Sequence, residues 1–132
     1  QSFDGITVKN VHDAAVIVKL GYASSSALLM ADAEAALEKK MVLSGGNLKA
    51  EVLKVGHHGS KTSTSRELLE AVRPRFAVIA VGKKNRYGHP VQEVLDRLAD
   101  YGITIYRTDR DGDIVFASNG KNFVLRQRSD LR

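Results

Sequence analysis

The chain has 132 residues, of which 43% are hydrophobic and 27% are charged, the balance of one ordinary globular domain. It contains no cysteine, so disulfides and thiolate metal sites are excluded, and any metal ion must be held by histidine, aspartate or glutamate. Twenty lysines and arginines against fifteen acids give a net charge of +5, which mildly favours an anionic partner such as nucleic acid.

Apolar patterning predicts, in chain order, strands over 5–10, 14–20 and 27–30, a helix over 32–43 and a strand over 51–55. Val16, Val18 and Leu20 share one face of the second strand. The first helix is indicated by good helix formers, with acids in its first turn and lysines near its end, as the helix dipole prefers. Asp32 fits two interpretations, the N-cap of this helix and a metal ligand, and one carboxylate can serve both.

The second half of the chain predicts a helix over 65–72, a strand over 76–81, a helix over 91–101 and strands over 103–107, 113–118 and 122–128. Hydroxyl side chains precede the first of these helices as caps, and Pro90 marks the start of the second. Asp111-Gly112 and Asn119-Gly120 predict hairpin turns between the last strands.

No linker or repeat interrupts this pattern. Residues 1–132 are therefore predicted to form one α/β unit, with a frayed tail over 127–132. No apolar run approaches the ~18 residues of a membrane-spanning helix.

Acids and imidazoles follow three of the predicted strands. Asp32 follows the strand over 27–30, His57 and His58 follow the strand over 51–55, and His89 follows the strand over 76–81. Ligands of open α/β sheets bind beyond the carboxyl ends of strands, so these side chains are expected to converge at one edge. The adjacent histidines favour a functional role, because two imidazoles at a strand end are costly to bury without partners. The structural alternatives are a packed histidine pair and, for His89-Pro90, a helix-start dipeptide.

Two further segments could contact an anion. Ser60 begins a run of hydroxyl residues that can cap the next helix or present hydroxyls and backbone N–H groups to a phosphate. The loop KKNRY contributes Lys83, Lys84 and Arg86 beside one tyrosine. It can contact phosphates or form an ordinary solvated loop.

The segments LKVGHHGSKTSTS, NRYGHP and IYRTDRDG carry a family resemblance that extends over residues 5–118. They resemble the C-terminal half of the metallo-β-lactamase fold and, more narrowly, the hydrolase-like domain of ComEC-type DNA-uptake proteins. The resemblance implies a layered α+β architecture, half of an αββα sandwich, with a mostly antiparallel or mixed sheet and its helices on one face. It also points to a bacterial, extracytoplasmic protein, although the sequence itself leaves the compartment open.

The resemblance also implies a metal site for one or two Zn²⁺ or Mn²⁺ ions. Met30, Ala31 and Asp32 match the family's Thr-Gly-Asp, in which the aspartate bridges the ions, so Asp32 is expected to be a catalytic metal ligand. The family's last metal histidine matches His57 or His58, and His58 is favoured as the catalytic ligand, with His57 supporting it. By the same resemblance His89 lies at this edge, where it, Ser60 and the cations Lys83, Lys84 and Arg86 are expected to hold an anionic substrate.

One departure limits these expectations. The family's main metal motif, His-x-His/Asp-x-Asp-His, does not occur in the sequence. The chain is therefore expected to carry part of the site of a parent phosphodiesterase or nuclease and to be inactive alone. An N-terminal half, a second chain or a homo-oligomer is expected to cover the open sheet face, and no membrane contact is expected. The alternatives are a non-catalytic module that binds nucleic acid or a partner, and a metal-free structural remnant.

Overall fold

The structure is a computed structural model, and it describes residues 14–126. Its elements are, in chain order, β1 (Val18–Tyr22), β2 (Ser25–Leu29), α1 (Ala35–Leu43), β3 (Val52–Lys54), α2 (Arg66–Val72), β4 (Phe76–Ile79), α3 (Gln92–Asp100), β5 (Thr104–Arg107), α4 (Thr108–Asp111), β6 (Val115–Ser118) and β7 (Phe123–Arg126). The strand predicted over 5–10 and the tail predicted over 127–132 lie outside the described residues. Within the described residues, no helix is long and apolar enough to cross a membrane.

Strands β1 to β5 form one mixed sheet in which spatial order follows chain order. The mixed α/β class is confirmed, but the expectation that antiparallel pairs predominate is wrong. Within this sheet only β1 and β2 pair antiparallel, whereas β2–β3, β3–β4 and β4–β5 are all parallel. The reason is the connections: α1, α2 and α3 each separate two neighbouring strands, and a helical crossover returns the chain in the same direction.

The three longer helices pack on one face of this sheet, as predicted. Right-handed crossovers that advance across a sheet in one direction place their helices on the same side. Apolar side chains of α1, α2 and α3 accordingly gather in one cluster with Leu53 and Ile79 of the sheet. Leu68, Leu69, Val94 and Leu98 are fully buried there.

The hairpin of β6 and β7 covers part of the opposite face. Alternate residues of the sheet, among them Val52 and Phe76, form a second cluster against Phe116 and Phe123 of the hairpin. The ring centroids of Phe76 and Phe116 lie 5.2 Å apart, a typical distance for packed aromatic rings. Helices, sheet and hairpin thus form three layers.

The β1 end of that second face stays open. Val16, Leu20 and Tyr22 are 75%, 53% and 63% exposed. Leu20 pairs directly with Ala27, a member of the hairpin-side cluster, so this apolar stripe lies on the hairpin side of the sheet. The intervening Ile17 packs against the helix-side cluster, which confirms the predicted alternation.

Several predicted element ends are wrong. Helix α1 has Glu34 at its N-cap, so Asp32 precedes the helix and does not cap it. The turn after β1 is shorter than predicted, because Ser25 and Ser26 already belong to β2. Helix α2 begins as predicted, with the Ser65 hydroxyl accepting the Leu68 N–H.

The two predicted hairpin turns have opposite outcomes. The Asn119-Gly120 turn is confirmed, because it joins the antiparallel strands β6 and β7. The Asp111-Gly112 hairpin is wrong, since β5 and β6 belong to different sheets. Residues Thr108–Asp111 form the short helix α4 instead, where the Asp111 carboxylate accepts the Arg107 backbone N–H at 2.8 Å.

Candidate functional site

The carboxyl ends of β2, β3 and β4 meet at one edge of the sheet, because these strands are parallel neighbours. The segments that follow them are joined by backbone hydrogen bonds. The His57 N–H donates to the Ala31 carbonyl at 2.9 Å, and the Val91 N–H donates to the Gly59 carbonyl at 3.0 Å. The structure therefore brings together the strand ends that carry the predicted acid and imidazoles.

His58 and Asp32 face each other, with 3.5 Å between His58 Nε2 and Asp32 Oδ1. The other ring nitrogen, Nδ1, lies 2.6 Å from the Ala80 carbonyl oxygen, which can only accept. Nδ1 must therefore carry a proton, and in the neutral ring Nε2 presents its lone pair toward the carboxylate. Metal-ligating histidines are commonly oriented by this kind of N–H bond to a carbonyl.

His57 turns away from that pair and contacts Glu34, with 3.2 Å between Nδ1 and Oε1. The same Glu34 oxygen accepts a hydrogen bond from the Thr62 hydroxyl at 2.9 Å. Both side chains are about one-fifth exposed. His57 is thus held by the start of α1, and sequence reasoning missed Glu34 as its partner. Its only sequence signal is the spacing Asp-x-Glu that follows β2.

His89 completes a cluster of three imidazoles. Its ring centroid lies 5.9 Å from that of His57, and its other neighbour is the ring of Tyr87, at 6.0 Å and 18°. His89 Nδ1 is buried without a hydrogen-bond partner among the described residues. Desolvation, reinforced by repulsion from His57 and His58, lowers the pKa of His89 below its usual 6.5, so the neutral ring is favoured.

Lys54, the last residue of β3, also points to this edge and was missed from the sequence. Its ammonium donates to the Ala31 carbonyl at 3.2 Å. Burial lowers the pKa of Lys54 below its usual 10.5, and attraction to Asp32 opposes that shift. A lysine that ends a buried strand is the signal that could have identified it.

The backbone around these groups is strained. Ala31, His57, His58 and Thr64 have φ of 46°, 45°, 55° and 60°, in the left-handed region that favours glycine. Such conformations cost on the order of 1–3 kcal/mol each and persist where the surroundings fix them, frequently at functional sites.

The predicted anion contacts have different environments. Ser60 is buried, and its hydroxyl lies 3.1 Å from that of Thr62, inside the loop. Lys83, Lys84 and Arg86 are exposed on the loop that follows β4. Within residues 14–126, no group of three or more histidine, aspartate or glutamate side chains is arranged to hold a metal ion.

No family model matches the chain. The chain is 45% identical over 89 residues to ComE operon protein 3 of Bacillus subtilis, a match that covers 67% of the chain and 12% of that protein. It is 37% identical over 123 residues to competence protein ComA of Neisseria gonorrhoeae, covering 91% of the chain and 18% of that protein. Recombination protein 2 of Haemophilus influenzae is 41% identical over 105 residues, covering 80% of the chain and 13% of that protein.

These matches identify the chain as a homologue of one segment of competence proteins. The segment is a small part of each relative, since the matches cover 12% to 18% of their lengths.

Proposed function

We propose that the chain carries part of the metal site of a metallo-β-lactamase-like hydrolase that cleaves phosphodiesters during DNA uptake. The names of the relatives support the link to competence, and the motifs quoted above support the hydrolase class. The net charge of +5 favours a polyanionic substrate over a neutral one.

The observation that carries this proposal is the separation of His58 and Asp32. Two ligand atoms bound to one tetrahedral zinc ion at about 2.0–2.1 Å lie roughly 3.4 Å apart. The distance between His58 Nε2 and Asp32 Oδ1 is 3.5 Å. With Nδ1 protonated toward Ala80, the lone pair of neutral Nε2 faces a carboxylate oxygen. Two acceptors in this position need a cation or a proton between them, and Zn²⁺ or Mn²⁺ fits that requirement.

Asp32 and His58 would hold the ion. A bound Zn²⁺ or Mn²⁺ supplies an activated water at neutral pH and stabilises charge on a phosphoryl oxygen. The Ala80 carbonyl orients the His58 ring, and Glu34 with Thr62 orients His57 beside it. Neutral His89, with its buried Nδ1, would contact the substrate. An anionic substrate is favoured by the four cations Lys54, Lys83, Lys84 and Arg86, and by the hydroxyl of Ser60.

The remaining ligands are proposed to come from sequence outside the described residues or from a second chain. One carboxylate and one imidazole leave an ion mostly hydrated, because zinc takes three or four protein ligands. The exposed stripe of Val16, Leu20 and Tyr22 gives such a partner a surface to cover. The 132-residue chain alone is therefore expected to be inactive.

A non-catalytic binding module is the second candidate. It is favoured by the lack of a third ligand within residues 14–126. In that case the imidazole cluster would have only a structural packing role, and the basic loop would bind nucleic acid without cleaving it.

The test compares the chain with the longer protein that contains it on one fluorescent single-stranded DNA, with and without chelator. We expect metal-dependent cleavage by the longer protein only. Asp32→Ala or His58→Ala in the longer protein should abolish turnover, whereas Asp96→Ala, an exposed acid on α3, should not. An inert longer protein would support the binding module, and chelator-sensitive cleavage by the short chain would mean that its own residues complete the site.

A further inference from the structure

The loop over residues 82–89 combines unpaired positive charge with an exposed aromatic ring. It contains Lys83, Lys84 and Arg86 and no acid. None of the three forms an ion pair with a carboxylate of the described residues. Tyr87 is 82% exposed. Burial therefore does not explain the aromatic ring, and ion pairing with the described residues does not explain the charges.

Hydrogen bonds hold this loop in a defined shape. The Asn85 side chain donates to the His89 carbonyl at 2.9 Å and accepts the His89 N–H at 2.9 Å, which closes the loop on itself. The Thr108 hydroxyl donates to the Val81 carbonyl and accepts the Val81 N–H, both at 2.8 Å, which anchors the start of the loop to the first residue of α4. The exposed ring is thus presented from an ordered turn.

The ring of Tyr87 lies beside the imidazole cluster. It is within 18° of parallel to the ring of His89, which in turn lies 5.9 Å from His57. Tyr87 rests on His89 with one face, and its high exposure leaves the other face open to solvent. A planar group stacked on the open face would extend the row formed by Tyr87 and His89, at the outer end of the imidazole cluster.

We propose that loop 82–89 binds single-stranded nucleic acid, with a base stacked on Tyr87 and the flanking phosphates contacted by Lys83, Lys84 and Arg86. Grooves that bind single strands combine cations that follow the backbone with aromatic rings on which bases stack. A duplex hides its base faces, so the stacking contact selects for the single strand. This inference rests on the proposed function in one respect, because it names the form of the substrate that reaches the same site.

The first test measures binding of a labelled thymidine 12-mer by fluorescence anisotropy at low salt, with chelator present so that cleavage plays no part. Tyr87→Ala should weaken binding about tenfold or more, since stacking on one aromatic ring contributes on the order of tenfold to hundredfold in affinity. Tyr87→Phe keeps the ring and should bind like the wild type. Leu43→Ala, which removes an exposed apolar side chain at the end of α1, should also bind like the wild type.

An abasic oligonucleotide of the same length separates stacking from charge. Tyr87→Ala should not change the affinity for this strand, which offers phosphates and no base. Replacing Lys83, Lys84 and Arg86 together by glutamine should weaken the binding of both the thymidine strand and the abasic strand. It should also reduce the slope of log affinity against log salt by about 2, because each phosphate contact with a single strand contributes roughly 0.7 to that slope.

The outcomes separate this inference from the proposed function. Loss of binding in Tyr87→Ala, with Tyr87→Phe unchanged, supports the stacking site even if the longer protein proves inert as a hydrolase. Equal binding by Tyr87→Ala and wild type, tighter binding of duplex than of single strand, or no binding at low salt overturns it, even if the longer protein cleaves DNA.

Discussion

Glu38 and Thr64 are joined by a 2.6 Å hydrogen bond, in which the buried Glu38 carboxyl accepts the backbone N–H of a left-handed residue. The second carboxyl oxygen accepts the Ser65 N–H at 2.8 Å. Arg97 of α3 donates to the Thr64 carbonyl at 2.7 Å. A β-branched residue rarely has positive φ, so these bonds from α1 and α3 account for the persistence of the turn after the histidine pair.

Glu38→Gln is expected to lower the free energy of unfolding by about 1–3 kcal/mol. The amide keeps one acceptor oxygen but turns an NH₂ group toward the second backbone N–H, leaving a buried donor unpaired. Urea denaturation measures the effect. Glu67→Gln, an exposed acid in the first turn of α2, is the matched control and should change stability by only a few tenths of a kcal/mol. Equal effects of the two changes would contradict the role given to Glu38.

Gly59→Ala is expected to be much more destabilising than Gly88→Ala. Both glycines have positive φ, 80° and 68°, so each alanine is expected to cost about 1–2 kcal/mol in backbone strain. A Cβ at Gly59 would also lie 2.6 Å from Pro90 Cβ, whereas a Cβ at Gly88 meets nothing within 4 Å. Overpacking adds about 1–3 kcal/mol at Gly59 only. Similar urea midpoints for the two variants would show that Pro90 moves aside freely.

His58 is expected to be the Nδ1–H tautomer whenever its ring is neutral, because Nδ1 faces the Ala80 carbonyl. Long-range ¹⁵N–¹H NMR of the imidazole rings distinguishes the two tautomers. Asp32→Asn should leave this tautomer unchanged, since the carboxylate lies at the other nitrogen. A proton on Nε2 in the neutral ring would remove the argument that His58 offers its lone pair to a cation.

Stability should decrease as the pH falls through the range in which His89 titrates. The pKa of His89 is lowered in the folded chain, so the unfolded chain takes up its proton first as the pH drops below about 6.5. The contribution of neutral His89 to stability is fully present above its pKa in the unfolded chain, and it is lost as the pH falls through its lower pKa in the folded chain. The free energy of unfolding, measured with urea, should change less between about pH 7.5 and about pH 5 for His89→Gln than for the wild type. Identical differences would mean that burial of His89 does not influence its titration.

The exposed stripe on β1 should make the wild-type chain self-associate. Leu20→Lys introduces a charge in the middle of this stripe, whereas Leu43→Lys changes an exposed leucine at the end of α1 and serves as the control. Light scattering should give a mass above that of a monomer for wild type and Leu43→Lys, and a monomer for Leu20→Lys. A compact wild-type monomer would contradict this prediction.

The sequence was sufficient to predict which acid and imidazoles follow the buried strands. An apolar run that stops at a polar residue is a local signal, so Asp32, His57 and His58 could be recognised from their neighbours, and parallel pairing brings them together. The partners of these side chains could not be recognised in the same way. The sequence alone indicates that Glu38 is an acid on a helix surface. In the structure its role depends on backbone N–H groups 26 and 27 residues away.

The parallel pairing itself was mispredicted for a related reason. Alternating apolar residues indicate a strand but not its direction, and the direction of β3, β4 and β5 follows from the helices between them. The Asp111-Gly112 turn was also mispredicted, because the acids of that segment pair with Arg107 and Arg110, which favours a short helix over a hairpin.

The agreement between strand order and chain order has a consequence for how the chain folds. Each strand of the five-stranded sheet pairs with the strand that precedes it in sequence, so no pairing has to wait for a distant segment to be synthesised. Pairing with the preceding strand lowers the entropy lost in closing loops, compared with a sheet whose neighbouring strands are distant in the chain. Because β2, β3 and β4 all precede β6 in the chain, the strands that carry Asp32 and the histidine pair are synthesised before the β6–β7 hairpin, and we expect this edge to be able to form first.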